Sequence, residues 1–109
     1  MTVKDIFEQR IPGGINEDPD KAKKIGAIYQ FNITGEQSGN WFVDLASDAP
    51  GVHEGTSDGA KCTITVGDND FVDIVSGKLN PQMAFMSGKL KIAGDMSLAM
   101  KLSSVLGNK

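Results

Sequence analysis

A single cysteine, Cys62, and a single histidine, His53, stand in a chain of 109 residues. One thiol rules out an internal disulfide framework and leaves no second sulfur for a zinc knuckle or redox pair, which fits a reducing compartment. One imidazole leaves a Ser/His/Asp triad or a Cys62/His53 pair to be assembled from His53 alone. That residue lies in Pro50-Gly51-Val52-His53-Glu54-Gly55, between turns, where a solvent-facing histidine is the simpler reading. No apolar run nears the ~20 residues of a membrane-spanning helix, and the start, MTVKDIFEQR, mixes charges where a signal peptide needs an apolar core. Glycine-rich phosphate and dinucleotide loops are missing. The carboxylate pairs Asp18/Asp20 and Asp68/Asp70 have no further acid at calcium-loop spacing and read as caps and turn residues. The expectation is a non-catalytic, metal-free, cytoplasmic protein.

What is present suits one fold unit spanning 1–109, since this length supports one core and divides poorly into two. Hydrophobic residues make up 39% and charged residues 23%, well clear of the composition of disorder. Net charge is −3, which argues against nucleic acid, but it is unevenly divided. From Ser76 onward five lysines face one acid, Asp95, a balance of +4 that leaves −7 for the remainder. Lys78, Lys89, Lys91 and Lys101 therefore suit transient contact with an anionic membrane surface, or simply solvate outward faces.

The pattern along the chain changes period twice. Val3, Ile6 and Phe7 mark a short helix over 3–9, closed by Pro12-Gly13-Gly14, and Asp18-Pro19 starts a second one ending before Gly26. Alternation follows over 27–34, with Tyr29, Phe31 and Ile33 on one side; over 41–46, with Trp41, Val43 and Leu45; over 52–56; and over 61–66, with Cys62, Ile64 and Val66. These four strands are expected as a meander. Asp68 is placed to cap a helix carrying Phe71, Val72, Ile74 and Val75, and Asn80-Pro81 starts another with Met83, Phe85 and Met86. A fifth strand covers 89–93 and a capped helix runs from Asp95 to Leu106. The result is an α+β fold, a five-stranded mixed sheet with helices covering one face, in which a helical crossover sets strand five parallel to an earlier strand.

The last helix is apolar around most of its circumference, with Met96, Leu98, Ala99, Met100, Leu102, Val105 and Leu106, far wider than the ~100° stripe needed to dock on a sheet. Ordinary core filling or a dimer face explains this, as does an adaptable cavity, since Met83, Met86, Met96 and Met100 bring flexible thioethers to the same third of the chain.

The stretch Gly77-Lys78-Leu79-Asn80-Pro81-Gln82, with Ala84-Phe85-Met86, Gly88-Lys89-Leu90-Lys91-Ile92, Gly94 and Leu98-Ala99-Met100-Lys101-Leu102, resembles the signature of the sterol carrier protein 2 family. Upstream, residues 24–31, Trp41-Phe42-Val43-Asp44-Leu45, Cys62-Thr63-Ile64-Thr65 and Asp70-Phe71 fall in the family's order and spacing. The resemblance covers nearly all of the chain from Lys23 onward. It implies a five-stranded sheet under helices, with an apolar tunnel for fatty acids, fatty acyl-CoA, sterols and some phospholipids, and it implies no cofactor. Carried onto this chain, the tunnel residues are Phe31, Ile33, Trp41, Val43, Ile64, Phe71, Ile74, Val75, Gln82, Met83, Phe85, Met86, Met100, Leu102 and Leu106. The chain ends Gly-Asn-Lys, where peroxisomal members of the family end in a Ser-Lys-Leu-type tripeptide. Two other readings stay open: a ligand-free module that dimerises through the terminal helix, and a lipid-presenting domain of an acyl-CoA enzyme. The initiating Met1 points to a free-standing carrier.

Overall fold

The computed structural model describes residues 2–47 and 50–101. Helical structure opens at Val3–Asp5 (α1), where Thr2 and Asp5 form a reciprocal capping box. It continues without a break through a π-helical turn, Ile6–Arg10, into Ile11–Glu17 (α2). The expected stop at Pro12-Gly13-Gly14 is therefore wrong. A proline inside an α-helix clashes with the carbonyl four residues back and lacks the N–H that would bond it. Here Ile11 N–H bonds to the Ile6 carbonyl, five residues back, and the widened turn admits Pro12. Asp18 then caps Pro19–Ile25 (α3), whose end is turned by Gly26 at φ 59°.

Five strands follow: Ile28–Thr34 (β1), Gly39–Asp44 (β2), Gly51–Glu54 (β3), Cys62–Gly67 (β4) and Leu90–Gly94 (β5). The sheet is mixed, in the order β3-β2-β1-β4-β5. This corrects the expected meander. After β3 the chain crosses back over β2 and β1, and β4 lies parallel to β1, with Tyr29 opposite Cys62 and Phe31 opposite Ile64. The parallel pair is thus β1 and β4, while β5 runs antiparallel to β4. The crossing is stitched by Gln30, whose side chain is 5% exposed on the outer sheet face. Its amide donates to the carbonyls of Trp41 and Gly55, and its oxygen accepts from Ser57 N–H at 2.8 Å. A buried polar side chain is tolerated here because it satisfies the loop that passes over it.

Opposed residues in a ladder share a face. Tyr29, Phe31, Ile33, Trp41, Val43, Val52, Cys62, Ile64, Val66, Leu90 and Ile92 accordingly form one apolar side. Helices cover that side, as expected. Val3, Ile6, Phe7 and Ile11 from the N-terminal rod join Phe71, Ile74 and Val75 from Asp68–Val75 (α4), Ala84 from Pro81–Met86 (α5) and Leu98 from Met96–Met100 (α6) in one core. Among the described residues no helix is long and apolar enough to cross a membrane.

Asp68 does not cap α4. Gly67 occupies the cap position, and the Asp68 carboxylate instead accepts N–H bonds from Gln37 at 3.0 Å and Asn69 at 2.7 Å. It ties the β1–β2 turn to α4, and the Gln37 side chain in turn accepts Val3 N–H at 2.9 Å, which holds the first helical turn. The turn requires Gly35, at φ 103°, since a Cβ there would meet the Asp68 carboxylate at 2.6 Å.

Candidate functional site

The apolar layer between sheet and helices has two halves with different filling. Over β1 and β2 it is packed solid with rings. Phe7, fully buried, lies between Trp41 and Phe71 in nearly parallel stacks, centroids 5.0 and 5.1 Å away, and meets the Phe31 ring edge-on at 5.4 Å. The π-helical turn that carries Phe7 is fastened to α4 by Arg10, whose guanidinium donates to the Val75 carbonyl at 3.2 Å.

Over β4 and β5 the cover is thinner. Two helices of five or six residues lie there, α5 against β5 and α6 across β4 and β5. Their buried anchors are small or few: Ala84 and Leu98. Asp95 caps α6 by accepting the Ser97 amide at 2.9 Å and hydroxyl at 2.6 Å. The Tyr29 hydroxyl, rising from the sheet, donates to the Leu98 carbonyl at 2.7 Å and so pins α6 down.

The ionisable groups described in this half are shifted by their surroundings. Burial, and then the nearby Cys62 and Asp95, push the Tyr29 phenol above its ordinary pKa, so it stays a neutral donor. Burial first and Asp95 second also push the Cys62 thiol up, which disfavours the nucleophilic thiolate. The Ser97 hydroxyl and amide hold Asp95 below the usual carboxylate value. His53 is exposed on the opposite face of the sheet, its ring 5.1 Å from that of Phe42. The described lining of this half is apolar apart from the Tyr29 hydroxyl and the Cys62 thiol.

The residues named from sequence divide three ways. Phe31, Ile33, Val43, Ile64, Phe71, Ile74 and Val75 are all buried in the layer, and Trp41 is half-buried at its β2 margin. Gln82, Met83, Phe85 and Met86 instead lie on the outside, Met83 at 66% and Met86 at 85% exposure, because α5 turns Ala84 toward the sheet. Met100 belongs to α6, while Leu102 and Leu106 lie outside the described residues. The same layer also holds Phe7, Tyr29, Leu90 and Leu98, which were not among the tunnel residues named from sequence. Phe7 and Tyr29 had the right periodicity, but nothing in it marked one as the centre of an aromatic stack or the other as the anchor of a distant helix.

A separate cleft of about 30 Å³ lies between α2 and α3, lined by Gly14, Ile15, Asp18, Lys21, Ala22, Ile25 and Leu45. It holds little more than a water and touches none of the residues above.

Comparison with known proteins places these features in a family. The sequence profile of the SCP-2 sterol transfer family matches residues 7–107. The chain is 48% identical over 98 residues to hydroxysteroid dehydrogenase-like protein 2 of Xenopus laevis, covering 89% of this chain and 23% of that protein. It is 44% identical over 92 residues to sterol carrier protein 2 of Rattus norvegicus, covering 82% of this chain and 17% of that one. The chain thus spans about a fifth of the length of these relatives. Among solved structures, palmitated SCP2L2 from Aedes aegypti superposes with a TM-score of 0.77 at 32% identity, covering 97% of this chain and 95% of the other.

Proposed function

This chain belongs to the SCP-2 sterol transfer family, and we propose that it holds a long-chain lipid in the apolar layer between sheet and helices and carries or presents it unchanged. Fatty acids, fatty acyl-CoA, sterols and phospholipids are the ligand class. The observation that supports this best is the palmitated neighbour, which matches nearly end to end at 32% identity. In this reading Ile64, Val66, Leu90 and Ile92 form the floor and α5 and α6 the roof. Phe31, Val43, Phe71, Ile74 and Val75 form the closed end, against the rings. Met83, Phe85 and Met86 stand at the outer rim.

Moving an acyl chain out of water releases ~0.8 kcal/mol per methylene, on the order of 10 kcal/mol gross for a fatty acid before association and ordering costs. Affinity therefore needs no polar network. The same arithmetic makes selectivity low, since one methylene is worth only ~1 kcal/mol.

Native mass spectrometry on the purified chain, first as isolated and then titrated with palmitate, tests the reading. One-to-one uptake, or a co-purified lipid, supports it. A bare mass that takes up no fatty acid, sterol or acyl-CoA refutes it and favours a ligand-free dimerisation module. The 48% identity to one part of a dehydrogenase-like protein favours a second version, in which the same unit presents lipid to a catalytic partner domain. Stimulation of a dehydrogenase by the loaded chain, absent with the empty chain, separates the two.

A further inference from the structure

One edge of the sheet carries backbone groups that nothing in the described fold uses. β5 is last in the order β3-β2-β1-β4-β5 and pairs with β4 alone. Asp95 N–H bonds to the Lys61 carbonyl at 2.9 Å, which sets the phase of that antiparallel ladder. Lys91 and Ala93 therefore turn their backbone groups toward β4, and Leu90 and Ile92 turn theirs away from it. Two N–H groups and two carbonyls thus point out of the sheet along one line, and among the described residues no group bonds them. Such an edge is a template for a further strand. The opposite edge, β3, has four residues, and α2 packs against it.

Charge says what kind of strand fits. Lys91 stands on the sheet face away from the helices, opposite Thr65, and its row continues through Asn32 and Asn40, so no carboxylate faces it across the sheet. Lys89 immediately precedes the strand; both lysines are exposed, and among the described residues neither is in an ion pair. No acid occurs from Ile74 to Gly94. We propose that the β5 edge binds an extended acidic peptide segment of a partner protein as a sixth strand. Carboxylates at alternate positions lie beside Lys89 and Lys91, and apolar side chains between them lie beside half-buried Ile92 on the helix-covered side. Main-chain bonds to Leu90 and Ile92 hold the segment, and the opposed charges choose it. Charge also decides against a second copy of this chain, since pairing two β5 edges sets lysines against lysines, the usual device that keeps sheet edges apart. The proposal goes beyond the lipid-carrier reading and does not depend on it. With a ladder on both sides, β5 is held more firmly beneath the thin cover of α5 and α6.

The test titrates the full chain, labelled with nitrogen-15, with a capped heptapeptide that alternates glutamate and valine, and reads amide shifts and hydrogen exchange residue by residue. Shifts are expected over residues 89–94, and the Leu90 and Ile92 amides should exchange on the order of tenfold more slowly at saturation. Binding should weaken with salt. Lys89→Ala/Lys91→Ala should lose up to about fivefold per lysine. Lys89→Glu/Lys91→Glu should reject the glutamate peptide and take its lysine counterpart. The glutamate peptide N-methylated throughout keeps its carboxylates but loses its backbone donors, and it should not bind. Both lysines are exposed, so the variants should keep the parent's far-ultraviolet circular dichroism and melting point.

The proposal is overturned by an absence of shifts at millimolar peptide, or by shifts centred on β3 or the helices. Equal binding of the glutamate and lysine peptides to the parent chain overturns it too, as does an N-methylated peptide that binds as well as the unmodified one. So does dimerisation through β5 without peptide, which makes the edge a self-interface. Palmitate uptake, measured alongside, keeps the two readings apart. Peptide binding without uptake sinks the carrier reading and leaves this edge standing, and uptake without peptide binding does the reverse.

Discussion

Replacing Phe7 by alanine removes the middle ring of the Trp41–Phe7–Phe71 stack, and its cost follows from three observations. The side chain is fully buried, it touches rings on the sheet and on α4, and it sits on a π-helical turn fastened by Arg10. Transfer of a buried phenylalanine to water costs about 1.5–3 kcal/mol. With the cavity left behind the expected total is ~3–5 kcal/mol. The upper part of that range applies, because neighbours fastened on both sides collapse poorly into the space. For a chain of this size the melting point should fall on the order of 20 °C. Phe7→Leu, which keeps most of the hydrocarbon and loses the stacking, should cost roughly 1–2 kcal/mol. Urea unfolding followed by circular dichroism and by emission of Trp41, the only tryptophan, measures both. The new void adjoins the proposed lipid space, so palmitate at about a hundred times its Kd should return ~2.7 kcal/mol or more to Phe7→Ala. A cost below about 1 kcal/mol with a normal urea slope would refute the argument that the ring stack is the rigid end of the layer.

Tyr29→Phe should cost about 1 kcal/mol in the same urea assay, through the lost hydroxyl bond to Leu98, and should speed amide exchange in α6. Because the folded phenol's pKa is raised, the unfolded chain loses its proton first, and wild-type stability should fall as pH rises above ~10. The variant should lack that part of the decline; an identical alkaline profile contradicts the assignment. Asp68→Asn should destabilise at neutral pH by loosening the Gln37 and Asn69 contacts. The folded carboxylate's pKa is lowered, first by the Gln37 amide, so its stabilisation is present above the ordinary value of ~4 and disappears as pH falls through the folded value. The gap between the two proteins should therefore close in acid, and a constant gap would point to packing instead. Gln30→Leu should cost roughly 1–3 kcal/mol, because Ser57 N–H is left beneath the crossing loop without its acceptor; a neutral result in urea means that the loop is held by other bonds.

Much of the fold was legible because the strands announce themselves by alternation. Tyr29, Phe31 and Ile33 point one way in the sequence pattern and one way in the sheet. Strand order was not legible, since the parallel pairing of β1 with β4 depends on the Gln30-stitched crossing, and a buried glutamine in a strand looks like any outward polar residue. Pro12-Gly13-Gly14 reads as a stop unless the π turn ahead of it is known. Asp68 looks like a helix cap because its true partner, Gln37, is 31 residues away. Burial was misread from sequence where size misleads: α5 presents its smallest side chain, Ala84, to the sheet and leaves its methionines outside, the reverse of what hydropathy suggests. Burial of part of the candidate set was recoverable, since strand alternation and helix period agree on Phe31, Val43, Ile64, Phe71 and Ile74.

The unequal anchoring of the two halves sets where the molecule opens. From Lys78 to Lys101 only Ala84, Leu90 and Leu98 are fully buried among residues whose exposure is described, and β5 is bonded along one side. Releasing that segment breaks one ladder, the Tyr29 pin and the Asp95 N–H bond to the Lys61 carbonyl, while β3-β2-β1-β4 and the ring stack stay closed. It is a unit with a low free energy of local opening, and its amides should exchange well before those of β1. A lipid entering by this route waits for the segment to lift, so its association rate should level off with rising lipid concentration at the opening rate. Its residence time should likewise follow how often the segment lifts as well as how well the chain of methylenes packs inside.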